Sequence, residues 1–214
     1  MFYDCAAHPE QFVYKLMTAT VTPRPIAWVT TRSETGGINA APYSFFNVMG
    51  HEPPTVALGL LRDPDKGLKD TAENITATGE FVINLVARQM AEAMNVTAIN
   101  APRDVSEVEL AGLAVAPCVK VAPPRLAEAP VSFECRLHAA VMTGPKQMIA
   151  IGRVAAIHIA DRFLLDAGRG HVDTPALDLI ARMHGSGWYK AGGEMFQMDR
   201  PVYTPPEPGL DRDA

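Results

Sequence analysis

Two periods of hydrophobic positions run along this chain. Ile26–Arg32 (IAWVTTR) is β-branched and partly alternating, the pattern of a strand. Pro54–Leu61 (PTVALGLL) and Glu80–Val86 (EFVINLV) are apolar runs of strand length. Val131–Met142 (VSFECRLHAAVM) alternates, with Phe133, Cys135 and Leu137 set against Ser132, Glu134, Arg136 and His138. Gln147–Asp161 is a further long strand, and Gly144-Pro145 supplies a hairpin turn between these two. Ile38–Val48 (INAAPYSFFNV) starts extended and becomes irregular around Pro42. Helical spacing marks Lys66–Thr78, with Leu68, Ala72 and Ile75 on one face and Gly79 as its stop. It also marks Ala87–Ile99, a short helix at Ser106–Leu110 ended by Gly112, and another at Pro175–Ala181. Gln11–Met17 fits a short helix or a first strand, and Pro23 and Pro25 force an extended path after it. One last short strand falls within Trp188–Met198.

Strands dominate, and several are adjacent and fit to pair antiparallel. That pattern predicts a mainly β fold with helical insertions rather than a sheet that alternates strand and helix throughout. Residues 1–200 read as one domain, and residues 201–214 as a proline-rich tail, extended or disordered.

Composition narrows the function classes. With 214 residues, 48% hydrophobic and 20% charged, the chain can bury a core without staples. A net charge of −5 points away from nucleic acid and anionic membranes as partners. No apolar run is long enough to span a bilayer, and the N-terminus lacks the basic and apolar regions of a secretory signal. Cys5, Cys118 and Cys135 form no paired pattern, which suits a reducing compartment, so a cytoplasmic location is expected. The histidines show no metal-ligand spacing, and no metal is expected.

No Walker-type or G-x-G-x-x-G loop is present, so a nucleotide cofactor would need another design. Four segments are candidates. Lys69-Asp70-Thr71 lies in the predicted helix beginning near Lys66, where unpaired N–H groups, a full charge and a hydroxyl suit a phosphate monoester. On local physics alone a solvated lysine followed by an acid that compensates the helix dipole is the favoured reading. Ala41-Pro42-Tyr43-Ser44-Phe45-Phe46-Asn47 could present backbone groups to the edge of a flat heterocycle, or could be a sheet-edge strand filling the core. Pro23-Arg24-Pro25 holds a guanidinium on a stiff segment, suited to bidentate phosphate recognition or to a plain surface position. Arg182-Met183-His184-Gly185-Ser186-Gly187 is a glycine-rich loop in which His184 and Ser186 miss the hydrolase pattern G-x-S-x-G.

In their order, PRPIAWVTT, INAAPYSFFNVMGHEPPTVALGL, LKDTAENITATGEFVINLV, SEVELAGL and APVSFECRLHAAV resemble the flavin-reductase-like family, also met as flavoredoxins and as reductase components of two-component monooxygenases. The resemblance covers about Thr20 to Tyr189. It implies a six-stranded antiparallel FMN-binding split barrel, usually a homodimer with FMN near the subunit interface. Carried over by position, Ala41 to Asn47 (Ala41, Pro42, Ser44, Phe45 and Asn47 among them) would line the isoalloxazine and ribityl chain. Lys69, Asp70 and Thr71 would sit at the phosphate, with Arg24 as helper. Arg182 and His184 fall in a loop where the family often shows R-L-G-G and this chain has Arg182-Met183-His184-Gly185. The implied activity is NAD(P)H-dependent flavin reduction, NADH or NADPH being the donor and FMN, or else FAD, the flavin. Electrons would pass to free flavin, ferric iron or a partner oxygenase. A flavin-binding electron carrier or sensor without NAD(P)H turnover is the alternative.

Overall fold

The computed structural model describes residues 1–63, 67–102, 105–185 and 187–203. In chain order the elements are helix α1 (Glu10–Thr20) and strands β1 (Arg24–Pro25), β2 (Ala27–Arg32), β3 (Ile38–Tyr43), β4 (Phe46–His51), β5 (Pro54–Asp63) and β6 (Gly67–Leu68). Helix α2 (Asp70–Thr78), strand β7 (Glu80–Leu85) and helices α3 (Ala91–Val96) and α4 (Glu107–Leu110) follow. Strands β8 (Val115–Ala116), β9 (Arg125–Leu126), β10 (Val131–Gly144), β11 (Gln147–Ile159), β12 (Leu164–Asp166), β13 (His171–Val172), β14 (Ile180–Arg182) and β15 (Tyr189–Ala191) complete the chain.

The main sheet runs β3-β2-β7-β10-β11-β5-β4, antiparallel throughout, with β6 paired to β5. It thus has seven strands along its path, not the six expected. The difference lies in Ile38–Val48, which is two strands rather than one irregular run. The chain turns at Ser44 and Phe45, and the Gly59 N–H donates to the Phe45 carbonyl at 2.7 Å. A Cβ on Gly59 would stand 2.8 Å from Phe45 Cβ, so this close approach needs glycine.

Both faces of the central strands are covered. One face packs Val29, Phe46, Leu58, Phe81, Ile83 and Cys135 against Ala72 and Ile75 of α2. The other sets Trp28 with Met94 of α3 and Leu126 of β9. Polar groups on this second face are paired. Asn84 donates to the Trp28 carbonyl and accepts from Leu126 N–H and Ser132 Oγ, and Trp28 Nε1 donates to Thr97 Oγ1. Ser132 and Glu134 were set opposite the apolar residues of their strand, yet both are buried, because the segment carrying β8 and β9 lies over them.

The helical readings need three corrections. The helix predicted from Lys66 begins at Asp70. Leu68 lies in β6, paired with β5, and Lys69 is still extended, while Lys66 lies outside the described residues. Ala87–Ile99 breaks into a 3-10 turn at Arg88–Met90 followed by α3. Pro175–Ala181 keeps one 3-10 turn, Pro175–Leu177, after which Asp178 at φ 44° redirects the chain into β14. That strand pairs with β1 on one side and β15 on the other, so the short strand read in Trp188–Met198 is Tyr189–Ala191. Among the described residues no helix is long and apolar enough to cross a membrane. Residues 201–203 carry no regular structure, and the rest of the predicted tail lies outside the described residues.

Candidate functional site

The turn that divides β3 from β4 is also the floor of a cleft. Two cavities, about 760 Å3 and about 480 Å3, meet there and share Tyr14, Pro42, Tyr43, Ser44 and Ala98 as walls. Both volumes lie in the range of about 300–1,000 Å3 usual for small-molecule sites.

The smaller cavity gathers Ala41, Phe45, Lys69, Asp70 and Thr71. Antiparallel pairing to β2 fixes Ala41 opposite Val29, and the burial of Ala72 and Ile75 fixes the roll of α2. Lys69 is the N-cap residue of α2, so the N–H groups of the helix's first turn open beside its side chain. The exposed Lys69 Nζ donates to Asn100 Oδ1 at 3.1 Å, a neutral partner that leaves the charge available. Thr71 is buried, and its Oγ1 accepts from Asn39 Nδ2 at 2.8 Å. It also bonds the Tyr43 hydroxyl, whose pKa burial pushes up to about 12, with the nearby carboxyls of Glu107 and Asp70 adding to the rise. Tyr43 therefore stays a neutral donor. Glu107 is itself buried in this wall. Burial raises its pKa and Asp70 raises it further, against hydrogen bonds from its own backbone and that of Ala40.

The larger cavity gathers Arg24, Arg182 and His184. Arg24 is buried with every nitrogen engaged. Nη1 donates to the carbonyls of Thr18 and Val21, Nη2 to that of Met183, and Nε to Ser44 Oγ at 3.4 Å. It ties α1, the β3–β4 turn and the chain after β14 together, with four of its five N–H donors spent on these bonds. Arg182 stands opposite it across β1 and β14, donates to Tyr189 Oη at 2.7 Å and lies over the Tyr189 ring. Burial lowers the Arg24 pKa and the Arg182 charge lowers it further. His184 is exposed and stacks on Trp188, and Ser186 lies outside the described residues.

Asn47 is not part of the cleft. It borders a third cavity with Pro23 and Phe46, and its Oδ1 accepts from the Val48 N–H. Motif reading missed the other walls, namely Tyr14, whose ring is tilted 6.2 Å from that of Phe45, and Asn39, Asn100 and Glu107. Tyr14 and Asn100 carry no motif, and Asn39 stands in the INAAPYSFF segment but before the Ala41–Asn47 stretch read as the flavin contact. Glu107 stood in plain view in the SEVELAGL segment, where an acid in a short helix reads as solvated.

Residues 18–174 match the profile of the flavin reductase like domain. The chain belongs to that family. A protein of Deinococcus radiodurans is 44% identical over 206 residues, spanning 94% of this chain and 90% of the relative. Component B of nitrilotriacetate monooxygenase from Bacillus cereus has a similar structure (TM-score 0.87, 32% identity, 92% of this chain and 98% of that one). So does the 2-nitrobenzoate 2-nitroreductase of Pseudomonas fluorescens (TM-score 0.86, 28% identity, 97% and 100%). A split-barrel-domain protein from Shewanella frigidimarina shares the fold at 20% identity (TM-score 0.79, 94% and 100%). The protein is a mainly β, split-barrel member of its family.

Proposed function

We propose that the cleft binds FMN and that the protein is an NAD(P)H-dependent flavin reductase acting as a homodimer. Its electrons would go to free flavin, ferric iron or a partner oxygenase. The observation that carries this reading is the joining of two cavities at Pro42–Ser44, one ending at a cationic helix N-terminus. Family membership supports it, as does the likeness to a monooxygenase component and to a nitroreductase.

The residues suit a phosphorylated flavin. A phosphate at the head of α2 would meet unpaired backbone N–H groups, the helix dipole and Lys69. Asp70 opposes an anion there, so the affinity would rest on Lys69 and the backbone. The ring and ribityl chain would lie along Ala41, Pro42, Ser44 and Phe45, with Tyr43 donating from the wall. Arg24 would shape the site without touching phosphate. Arg182 and His184 would face the second cavity, where a cationic wall suits an anionic nucleotide donor. The chemistry that FMN supplies when bound is hydride acceptance followed by electron release.

Purified protein is expected to be yellow, or to turn so with added FMN, and to bleach when NADH or NADPH is added without oxygen. A titration showing no FMN binding at micromolar concentrations, about −8 kcal/mol, overturns the proposal. Binding without bleaching would favour an electron carrier or sensor instead.

A further inference from the structure

Away from the cleft, three side chains of different chemistry converge at one end of the β10–β11 hairpin. Cys118, Glu134 and His158 each offer a ligand atom, and these atoms lie within 4.8 Å of one another. Register explains two of them. Ser132 pairs with His158 and Glu134 with Ala156, so Glu134 and His158 are diagonal neighbours on one face of the sheet. The third comes from the loop between β8 and β9, which folds onto that face. The N–H groups of Val119 and Lys120 donate to the two oxygens of Glu134 and hold Cys118 beside it.

We propose that Cys118, Glu134 and His158 form a site for a borderline-soft divalent cation, Zn2+ being the best match, with a fourth position open to water. The donor set argues for zinc. Thiolate, imidazole and carboxylate are its three customary ligand types, whereas magnesium and calcium avoid sulfur. Bond lengths of about 2.0–2.3 Å around a tetrahedral ion place ligand atoms roughly 3–4 Å apart, inside the 4.8 Å that encloses these three. His158 Nε2 and Glu134 Oε1 now share a hydrogen bond and would part by about 1 Å to admit the ion. The Val119 and Lys120 N–H groups would remain on the carboxylate and orient it, the usual work of partners behind a ligand.

Burial argues the same way. Glu134 is fully buried, and a buried carboxylate needs a cation close by. The His158 side chain keeps 28% of its surface exposed, which leaves a route in for the ion and room for a water ligand. The Cys118 thiol is pushed up to about 11 by burial and by Glu134, so the metal must displace its proton to solvent on binding. Arg125, whose backbone N–H faces Cys118 and whose Nε has no hydrogen-bond partner, sits close enough to offset part of the thiolate and carboxylate charge. The ion would clasp the β8–β9 loop to β10 and β11.

The test uses the full chain, reduced and with its flavin retained. Zn2+ is added and excess removed, and bound metal is measured by elemental analysis. Co2+ is titrated in parallel and read as a difference spectrum for the thiolate-to-cobalt charge-transfer band. One Zn2+ per chain and a clear cobalt–thiolate band are expected. Cys118→Ser should remove the band and weaken Zn2+ at least about tenfold, the least that losing even an outer partner costs. Flavin content and circular dichroism should stay unchanged in that variant. Cys5→Ser, altering a thiol outside the cluster, should retain both signals, and His158→Ala should lose Zn2+ as Cys118→Ser does. A cobalt band that survives Cys118→Ser, or wild-type protein that holds no more Zn2+ than Cys118→Ser, overturns the site. Neither readout depends on flavin reduction.

Discussion

Arg24 and Lys69 show how little the identity of a side chain says about its task. Both are cations that motif reading places near a phosphate. One is buried with four of its five donors spent on three backbone carbonyls and Ser44, and the other is exposed on a single neutral amide. Their variants should part accordingly. Lys69→Ala should weaken FMN about tenfold, near 1.4 kcal/mol, and riboflavin hardly at all, as titration of both ligands would show. An equal loss for both would move Lys69 away from the phosphate. Arg24→Ala should instead cost roughly 3 kcal/mol of stability by leaving buried carbonyls unpaired, measured by denaturant unfolding. An unchanged midpoint there would contradict its role as a tie. Glu107 permits a test in pH. Its folded-state pKa is raised, chiefly by burial, so the folded protein binds that proton more tightly than the unfolded chain. Glu107 therefore detracts from stability at neutral pH, and the penalty disappears as pH falls through the raised value toward the unfolded one. Glu107→Gln should raise the melting temperature by a few degrees at neutral pH, and the gain should fade on acidification. A gain that grows in acid would reverse this assignment.

At the scale of elements, the strands were legible because β-branched and apolar runs bounded by glycine and proline have few other uses. Helix and strand limits were not. Leu68 fits the apolar face of α2 by spacing, yet β5 runs past its pairing with β4 and β11, and Gly67–Leu68 pairs with that end. Two glycines mark where elements press together. A Cβ on Gly152 of β11 would run into the buried Phe81 ring and stand 3.3 Å from Val56 Cγ2. Gly152→Ala should cost about 1–3 kcal/mol by overpacking, read from the shift in unfolding midpoint, with flavin affinity kept. Gly59→Ala would displace Phe45 at the floor of the cleft, so its expected signature is weaker FMN binding with a smaller loss of stability. If the two glycine variants behave alike, the β3–β4 turn is not part of the flavin site.

For the whole molecule, exposed apolar side chains are spread over several strands of the main sheet, among them Val48 and Met49 on β4, Leu61 on β5, and Val141 and Met142 on β10. Residues so scattered do not mark an interface, and the proposed homodimer rests on the family resemblance. Light scattering should therefore report a dimer at micromolar concentrations, and a monomer there would remove the homodimer from the proposal. The sequence by itself determined the long strands of the main sheet, the presence of helical insertions and the ordered set of segments that signals the family, because these depend on local periodicity and on residues near one another in the chain. Tertiary structure alone decided which polar residues are buried and what they meet. Alternation in Val131–Met142 identifies a two-faced strand, but only the loop folded over Ser132 and Glu134 makes the polar face a second interior. The same long-range folding brought Tyr14, Asn100 and Glu107 to the cleft, sent Asn47 elsewhere, and set Cys118 beside Glu134 and His158. Such meetings depend on strand register and on how layers stack, and no local pattern in the chain encodes either.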